Sequence, residues 1–437
     1  MTEPLLDTAR LDTARLDTAR LDAARLDAAR LDAVASDPVT MGWMQGFPPP
    51  PQKRVLWRET DHWRFPKTRW AFSHYRELVP TVRVAGGNAP PLPRAIDHSL
   101  GQLSFMPLNS DTPMTLDQGL LGTYADGVLV IHNGTVIYER WFGVTGPETR
   151  HIAFSVTKSF VGTLAATLIV EGRLDPAAPV SAYVPELAAG GFGNATVRQV
   201  MDMTTAVDFS EEYTDPNSGI GALSVSAGFV PPQPDYDGPR DLWTFLTGIG
   251  ASGDHGNAFK YRTCNTDVLN WIISRVTGKS FGTNLSERIW RPLGLHDADV
   301  MIDSIGTPFA GGGLCLRLED LARFGEAIRL DGQGLTGARV IPAQAIAAIR
   351  QGGRPDQFDA NSYSLLPGWS YGSQWWHSHG ADAAFTARGI HGQALWIAPE
   401  ADLVIARFGS HPVAGNAGND AISIPMWQAI GRFLRNA

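Results

Sequence analysis

His151-Ile-Ala-Phe-Ser-Val-Thr-Lys-Ser-Phe160 is the stretch on which the reading of this chain turns. A serine hydroxyl is a weak nucleophile until a neighbouring base takes its proton. Residues three apart on a helix share a face, so Ser155 and Lys158 set an amine beside a hydroxyl. The continuation Phe160-Val-Gly-Thr-Leu-Ala-Ala-Thr-Leu-Ile-Val170 is apolar nearly all round, the pattern of a buried helix, and Glu171-Gly172 stops it. Ser155 therefore opens a core helix, where free backbone N–H groups favour developing negative charge. A lysine held against such a helix is partly desolvated, which lowers its pKa toward that of a useful base. An arginine in its place would stay charged.

The rest of the chain suits an enzyme. Its 437 residues bury a large core, and 43% hydrophobic with 18% charged residues describe a globular protein rather than a disordered or coiled one. A net charge of -8 and a pI near 5.8 leave no electrostatic footprint for nucleic acid or an anionic membrane. Cys264 and Cys315 are too few for a disulfide framework and read as reduced thiols. No run of apolar residues is long enough to span a membrane, and the N-terminal segment has no continuous apolar core of a secretory signal, so the expected location is the cytoplasm.

Three parts are expected along the chain. Residues 1–35 carry a five-residue period, Leu-Asp-Thr-Ala-Arg and then Leu-Asp-Ala-Ala-Arg. Five residues advance about 500° round a helix, so the leucines share no face, and the segment reads as a dispensable tail, frayed helix or disordered. Residues 36–103 are rich in Pro and Trp and read as an extended arm packing on the core. Residues 104–437 form the main domain. Gly127-Val-Leu-Val-Ile-His132 and Thr135-Val-Ile-Tyr138 flank Asn133-Gly134, a strong hairpin signal. A second hairpin joins Gln393–Ala398 to Leu403–Ala406 through Pro399-Glu-Ala-Asp402. Between them lie helical patterns at 155–171, 196–203, 264–277 and 317–330, and a last helix is expected from about Ile424 to Leu434. Strands at both ends with helices between predict an α+β fold, an antiparallel sheet flanked by helices.

Taken together, these segments resemble the serine β-lactamase and penicillin-recognising fold, with its all-helical subdomain. Within it the chain is similar to class C β-lactamases, to family VIII esterases, and most of all to the 6-aminohexanoate-dimer (nylon-oligomer) hydrolases. The likeness runs from about residue 54 to the end. It rests on Ser155-Val-Thr-Lys158, Glu171-Gly-Arg-Leu-Asp-Pro176, Tyr183-Val-Pro-Glu-Leu187 and Glu212-Tyr-Thr-Asp-Pro216, then Tyr261 with Asn265-Thr-Asp-Val-Leu269, Gln374-Trp-Trp376 and Gly389-Ile-His-Gly-Gln393.

The resemblance implies that Ser155 is acylated, Lys158 is its base, and Tyr261 carries the proton to the leaving group. It implies an oxyanion hole made by the N–H groups of Ser155 and Ile390. Tyr213 is expected to close over the site and hydrogen-bond a substrate amide; the alternative is a loop tyrosine packed under Pro216. Ser224 falls where a carboxylate would suit a substrate ammonium. Trp376 and His391 are read as pocket residues, with a place in the core as the alternative. Two departures stand out. Thr263 occupies a place where many relatives have Asn or Ser, and Ala387-Arg388-Gly389 replaces the β-lactamase Lys-Thr-Gly, which argues against an antibiotic substrate.

The expected function is a serine hydrolase acting on a linear amide or a small ester, with no cofactor and no metal. The resemblance also implies a homodimer and a small-molecule substrate. Three other readings remain: an esterase with little amidase activity, a zinc protein built on His377, His379 and His391, and a silent binding protein. His-x-His without carboxylate or cysteine partners is thin support for zinc, and the presence of Ser155, Lys158 and Tyr261 argues against a silent relative.

Overall fold

The computed structural model describes residues 31–359 and 362–436. The tail expected at 1–35 lies outside the described residues as far as residue 30. From Leu31 on the chain is docked: the Tyr124 hydroxyl donates to the Leu31 carbonyl, and the Arg69 guanidinium donates to that of Ala33.

A seven-stranded antiparallel sheet forms the body. From edge to edge its strands are Thr135–Trp141, Ala125–His132, Leu403–Gly409, Gln393–Ala398, Phe385–Gly389, Trp375–His377 and Ser370–Gly372. Both expected hairpins are present, Ala125–His132 with Thr135–Trp141 and Gln393–Ala398 with Leu403–Gly409. Asn133 and Gly134 take φ values of 53° and 79°, the two left-handed residues that a tight primed turn needs.

The central strands are mostly apolar because both faces of the sheet are covered there. Leu129, Ile131, Leu395, Ile397 and Val404 point into one core, whereas Val128, Val130, Trp396, Ala398 and Ile405 point into the other. Four long helices matter here: α1 (Val156–Val170), α2 (Cys264–Thr277), α3 (Leu318–Arg329) and α4 (Ala417–Asn436). Helices α1 and α3 pack on the first face, and α4 with the Leu116–Gly122 helix covers the second.

Helix α4 starts earlier than expected and runs through Pro425. Proline has no N–H to give the carbonyl four residues back. That carbonyl, on Ala421, instead accepts from the Leu108 N–H at 2.7 Å, so the interruption costs no unpaired group.

A second, four-stranded sheet orders Thr81–Val84, Ala298–Met301, Leu314–Leu316 and His151–Ile152. Its first strand comes from the Pro/Trp-rich segment, so that segment contributes an edge strand as well as wrapping the core. Farther along, the Ala95 N–H donates to the Val136 carbonyl, which covers the outer edge of the large sheet. Short helices between Val180 and Leu285, together with α2, make up the helical region between the two sheets' halves of the chain. No helix among the described residues is long and apolar enough to cross a membrane.

Candidate active site

The strand His151–Ile152 delivers the chain to Ser155 through one strained residue. Phe154 has φ of +45°, a conformation that a bulky side chain adopts only when its surroundings enforce it. The rings of Phe72, His391 and Trp63 enclose it at centroid distances of 4.9, 5.7 and 6.0 Å. Ser155 follows as the residue capping α1, with the Lys158 N–H donating back to its carbonyl at 3.1 Å. The sharp turn leaves the serine at the mouth of a helix that is buried from Val156 to Leu168.

Lys158 is that helix's one buried cation. Its Nζ donates to Ser155 Oγ at 2.8 Å and to the Gly311 carbonyl at 2.5 Å. Burial lowers its pKa to about 8, against the opposing charges of Glu211 and Asp267. Asp267, on α2, accepts the Gly311 N–H at 2.9 Å, and burial lifts its carboxyl well above the usual carboxylate range. Gly311 is needed there: a Cβ would sit 2.6 Å from Thr263 Cγ2 and 2.7 Å from Asp267 Oδ2.

Tyr261 lies just before α2. It stacks on Trp376 with centroids 5.4 Å apart, and the Lys158 ammonium stands 5.2 Å from its ring centre. Burial raises its pKa well above the ordinary phenol value, and a hydrogen bond with Ser155 pulls the other way. The phenol is therefore protonated at neutral pH and has its hydroxyl at the nucleophile. Thr263, the departure noted above, fixes this loop by donating both its hydroxyl (2.6 Å) and its N–H (2.8 Å) to Glu211.

Ser155, Tyr213, Tyr261, Trp376 and Ile390 line one cavity of about 310 Å³. Gly389 brings the last of these in. A Cβ at Gly389 would lie 2.7 Å from the Ala153 carbonyl, so glycine lets the strand end abut the nucleophile turn. Two expected residues are not brought there. Ser224 donates to the Ile220 carbonyl of its own helix at 2.7 Å. His391 is buried beneath the site with Nδ1 2.7 Å from the His411 carbonyl, and burial lowers its pKa to about 4. Both are placed by local or core contacts. His377 is likewise buried with a pKa near 3, and His379 Nε2 meets Ser370 Oγ at 2.7 Å. Among the described residues no group of three or more His, Cys, Asp or Glu is arranged to hold a metal.

Sequence reasoning missed three contributors. Glu211 lines the cavity and accepts the Tyr213 hydroxyl at 2.7 Å; the only hint was an acidic pair beside Tyr213. Arg388, inside the replaced triplet, pairs with Asp420 at 2.5 Å and lies over the Trp376 ring at 5.0 Å. Gln374 ties the site's supports together: its carbonyl accepts from Ser159, its Oε1 from Thr266, and its Nε2 donates to Val200 and Met201.

The arrangement sets a serine hydroxyl, a buried amine with a pKa of about 8, a protonated phenol and a strand edge beside one cavity. It is equipped for acyl transfer. The Beta-lactamase family profile matches residues 116–421. A 6-aminohexanoate-dimer hydrolase of Paenarthrobacter ureafaciens is 38% identical over 82% of this chain and 87% of its own length. A solved structure described as a putative 6-aminohexanoate-dimer hydrolase from Bacillus anthracis superposes with a TM-score of 0.80 at 27% identity, covering 89% of this chain and 99% of that one. A family VIII carboxylesterase structure shares the fold, with a TM-score of 0.51 at 16% identity over 70% of this chain and 92% of its own.

Proposed function

The chain belongs to the beta-lactamase family, and on that premise we propose that this serine hydrolase cleaves linear amides of the 6-aminohexanoate-oligomer type through an acyl-enzyme on Ser155. The observation that carries the reading is the buried Lys158 amine, 2.8 Å from Ser155 Oγ with a pKa near 8. In acylation the Ser155 hydroxyl attacks the amide carbonyl carbon while its proton passes to Lys158. The carbonyl oxygen becomes an oxyanion, received by the N–H groups of Ser155 and Ile390. The C–N bond then breaks. Tyr261, between Lys158 and the cavity, relays the proton to the departing nitrogen, which leaves as an amine. Water attacks the ester on Ser155 by the reverse proton route and releases the acid. Tyr213 and Trp376 line the cavity that takes the substrate chain.

One observation favours a second reading, hydrolysis of small esters with little amidase activity. Ser224, where a group for a substrate ammonium was expected, bonds its own helix instead. An ester also expels an alkoxide with less help from a proton donor than an amide needs. The test is hydrolysis of 6-aminohexanoate linear dimer beside p-nitrophenyl acetate and butyrate, with the wild type and Ser155→Ala. Cleavage of the dimer that disappears in Ser155→Ala supports the amide reading. Cleavage of the esters alone, still through Ser155, supports the second. Turnover surviving in Ser155→Ala overturns the mechanism.

A further inference from the structure

We infer that Glu211 is a positioning residue that latches the Tyr213 loop to the Ser155–Lys158–Tyr261 centre, so that holding the substrate and readying the base depend on one carboxylate. The inference rests on the acyl-enzyme reading above and extends it to a residue that acts through Tyr213, Thr263 and Lys158.

The geometry is that of a clasp. Tyr213 stands in an irregular segment without helix or strand hydrogen bonding to hold it. Its hydroxyl donates to Glu211 Oε1 at 2.7 Å. The same oxygen accepts the Thr263 hydroxyl at 2.6 Å, and Oε2 accepts the Thr263 N–H at 2.8 Å. Hydrogen bonds to a carboxylate are about twice as strong as neutral ones; the two from Thr263 join the loop at the cavity mouth to the turn that carries Tyr261 into α2, and the one from Tyr213 fixes that side chain within the loop. Glu211 itself lines the cavity, with Ser155 and Tyr261 on the same wall.

The carboxylate has a second consequence. The groups that act on Lys158 are Glu211 from the loop, Asp267 and Cys264 from α2, and the Gly311 carbonyl from the loop beneath it. Burial raises both the Cys264 thiol and the Asp267 carboxyl. Glu211 is therefore the negative charge on the substrate side of the lysine, where it favours the ammonium form against burial. Removing it frees the amine at lower pH and releases Tyr213 at once. The two effects pull activity in opposite directions, which separates this role from a merely structural one.

The test compares the wild type, Glu211→Gln, Tyr213→Phe and Ser155→Ala on p-nitrophenyl acetate and 6-aminohexanoate linear dimer across pH 5.5 to about 10. In Glu211→Gln the acid limb of kcat/KM on the ester is expected to move down by about one pH unit, while KM for the linear dimer rises about tenfold. Tyr213→Phe, which removes the Tyr213–Glu211 bond but leaves the charge and both bonds to Thr263, is expected to raise KM likewise with the acid limb unmoved. An acid limb that stays put in Glu211→Gln, or that moves equally in Tyr213→Phe, overturns the inference. Should Glu211→Gln fail to fold, Tyr213→Phe still tests the hold of Glu211 on Tyr213 through KM, and an unchanged KM overturns the inference. Activity in Ser155→Ala sinks the acyl-enzyme reading itself; an inactive Ser155→Ala beside an unaltered Glu211→Gln sinks only this one.

Discussion

Lys158 is buried to 1% exposure, yet two of its three donor positions are filled, by Ser155 and by the Gly311 carbonyl. Desolvation disfavours its charged form, and the neighbouring carboxylates prevent the pKa from falling further than about 8. Below that pH the amine holds its proton and cannot accept another from Ser155. The expected outcome is a kcat/KM that climbs tenfold per pH unit on the acid side and levels off above about 8; a profile flat between pH 6 and about 9 would contradict it. Lys158→Ala is expected to lower kcat/KM by about a thousandfold. Lys158→Arg is expected not to restore it, because guanidinium stays protonated at any pH the fold survives. Ser-x-x-Lys was legible in the chain because both partners sit on one helix. Glu211 was not, because its value depends on Thr263, 52 positions along the chain.

Helix α1 shows why an element must be read with its neighbours. Its apolar surface extends all round because the Ala343–Arg350 helix, α2 and the sheet enclose it, with Phe160 stacked on Phe324 of α3. Gly162 faces the Ser373–Gln374 turn, and a Cβ there would collide with the Ser373 carbonyl oxygen. That turn holds two residues of positive φ, Ser373 at 52° and Gln374 at 67°, and its Gln374 anchors α1, α2 and the Val197–Met201 helix. Gly162→Ala is expected to cost about 2 kcal/mol, read by urea unfolding, and to slow turnover by shifting Trp376 two residues on. An unfolding midpoint equal to the wild type would mean the turn yields freely. The glycine was visible in the sequence, but an isolated glycine in a helix pattern does not say which backbone approaches it.

On the scale of the whole molecule, the Pro/Trp-rich segment is part of the active site's foundation. Trp63 meets Phe229, His391 and Phe154 at 4.9, 5.2 and 6.0 Å, and so backs both the strained nucleophile turn and the strand end at Ile390. Trp63→Ala is expected to destabilise the protein by about 3 kcal/mol. Activity is expected to fall at temperatures where the variant remains folded, because Phe154 loses part of its enclosure; a variant of full activity and reduced stability would confine Trp63 to packing. The same segment buries Trp70, Phe72 and Tyr75, and adds the strand Thr81–Val84. Composition alone shows such a stretch as extended and proline-rich, and gives no sign of which surface it covers.

The chain by itself determined what short-range physics can encode. Asn133-Gly134 set a hairpin because only certain residues accept positive φ in sequence. The apolar run after Ser155 set a buried helix, and the three-residue spacing to Lys158 set a nucleophile beside an amine. The tertiary structure alone decided the rest. It placed Ser224 and His391 away from the cavity, each drawn off by a nearby carbonyl. It also brought Glu211, Arg388 and Asp420 to the cavity wall. Charges and carbonyls meet there from segments far apart in the chain, and no local periodicity records a meeting that only the packing of helices on a sheet brings about.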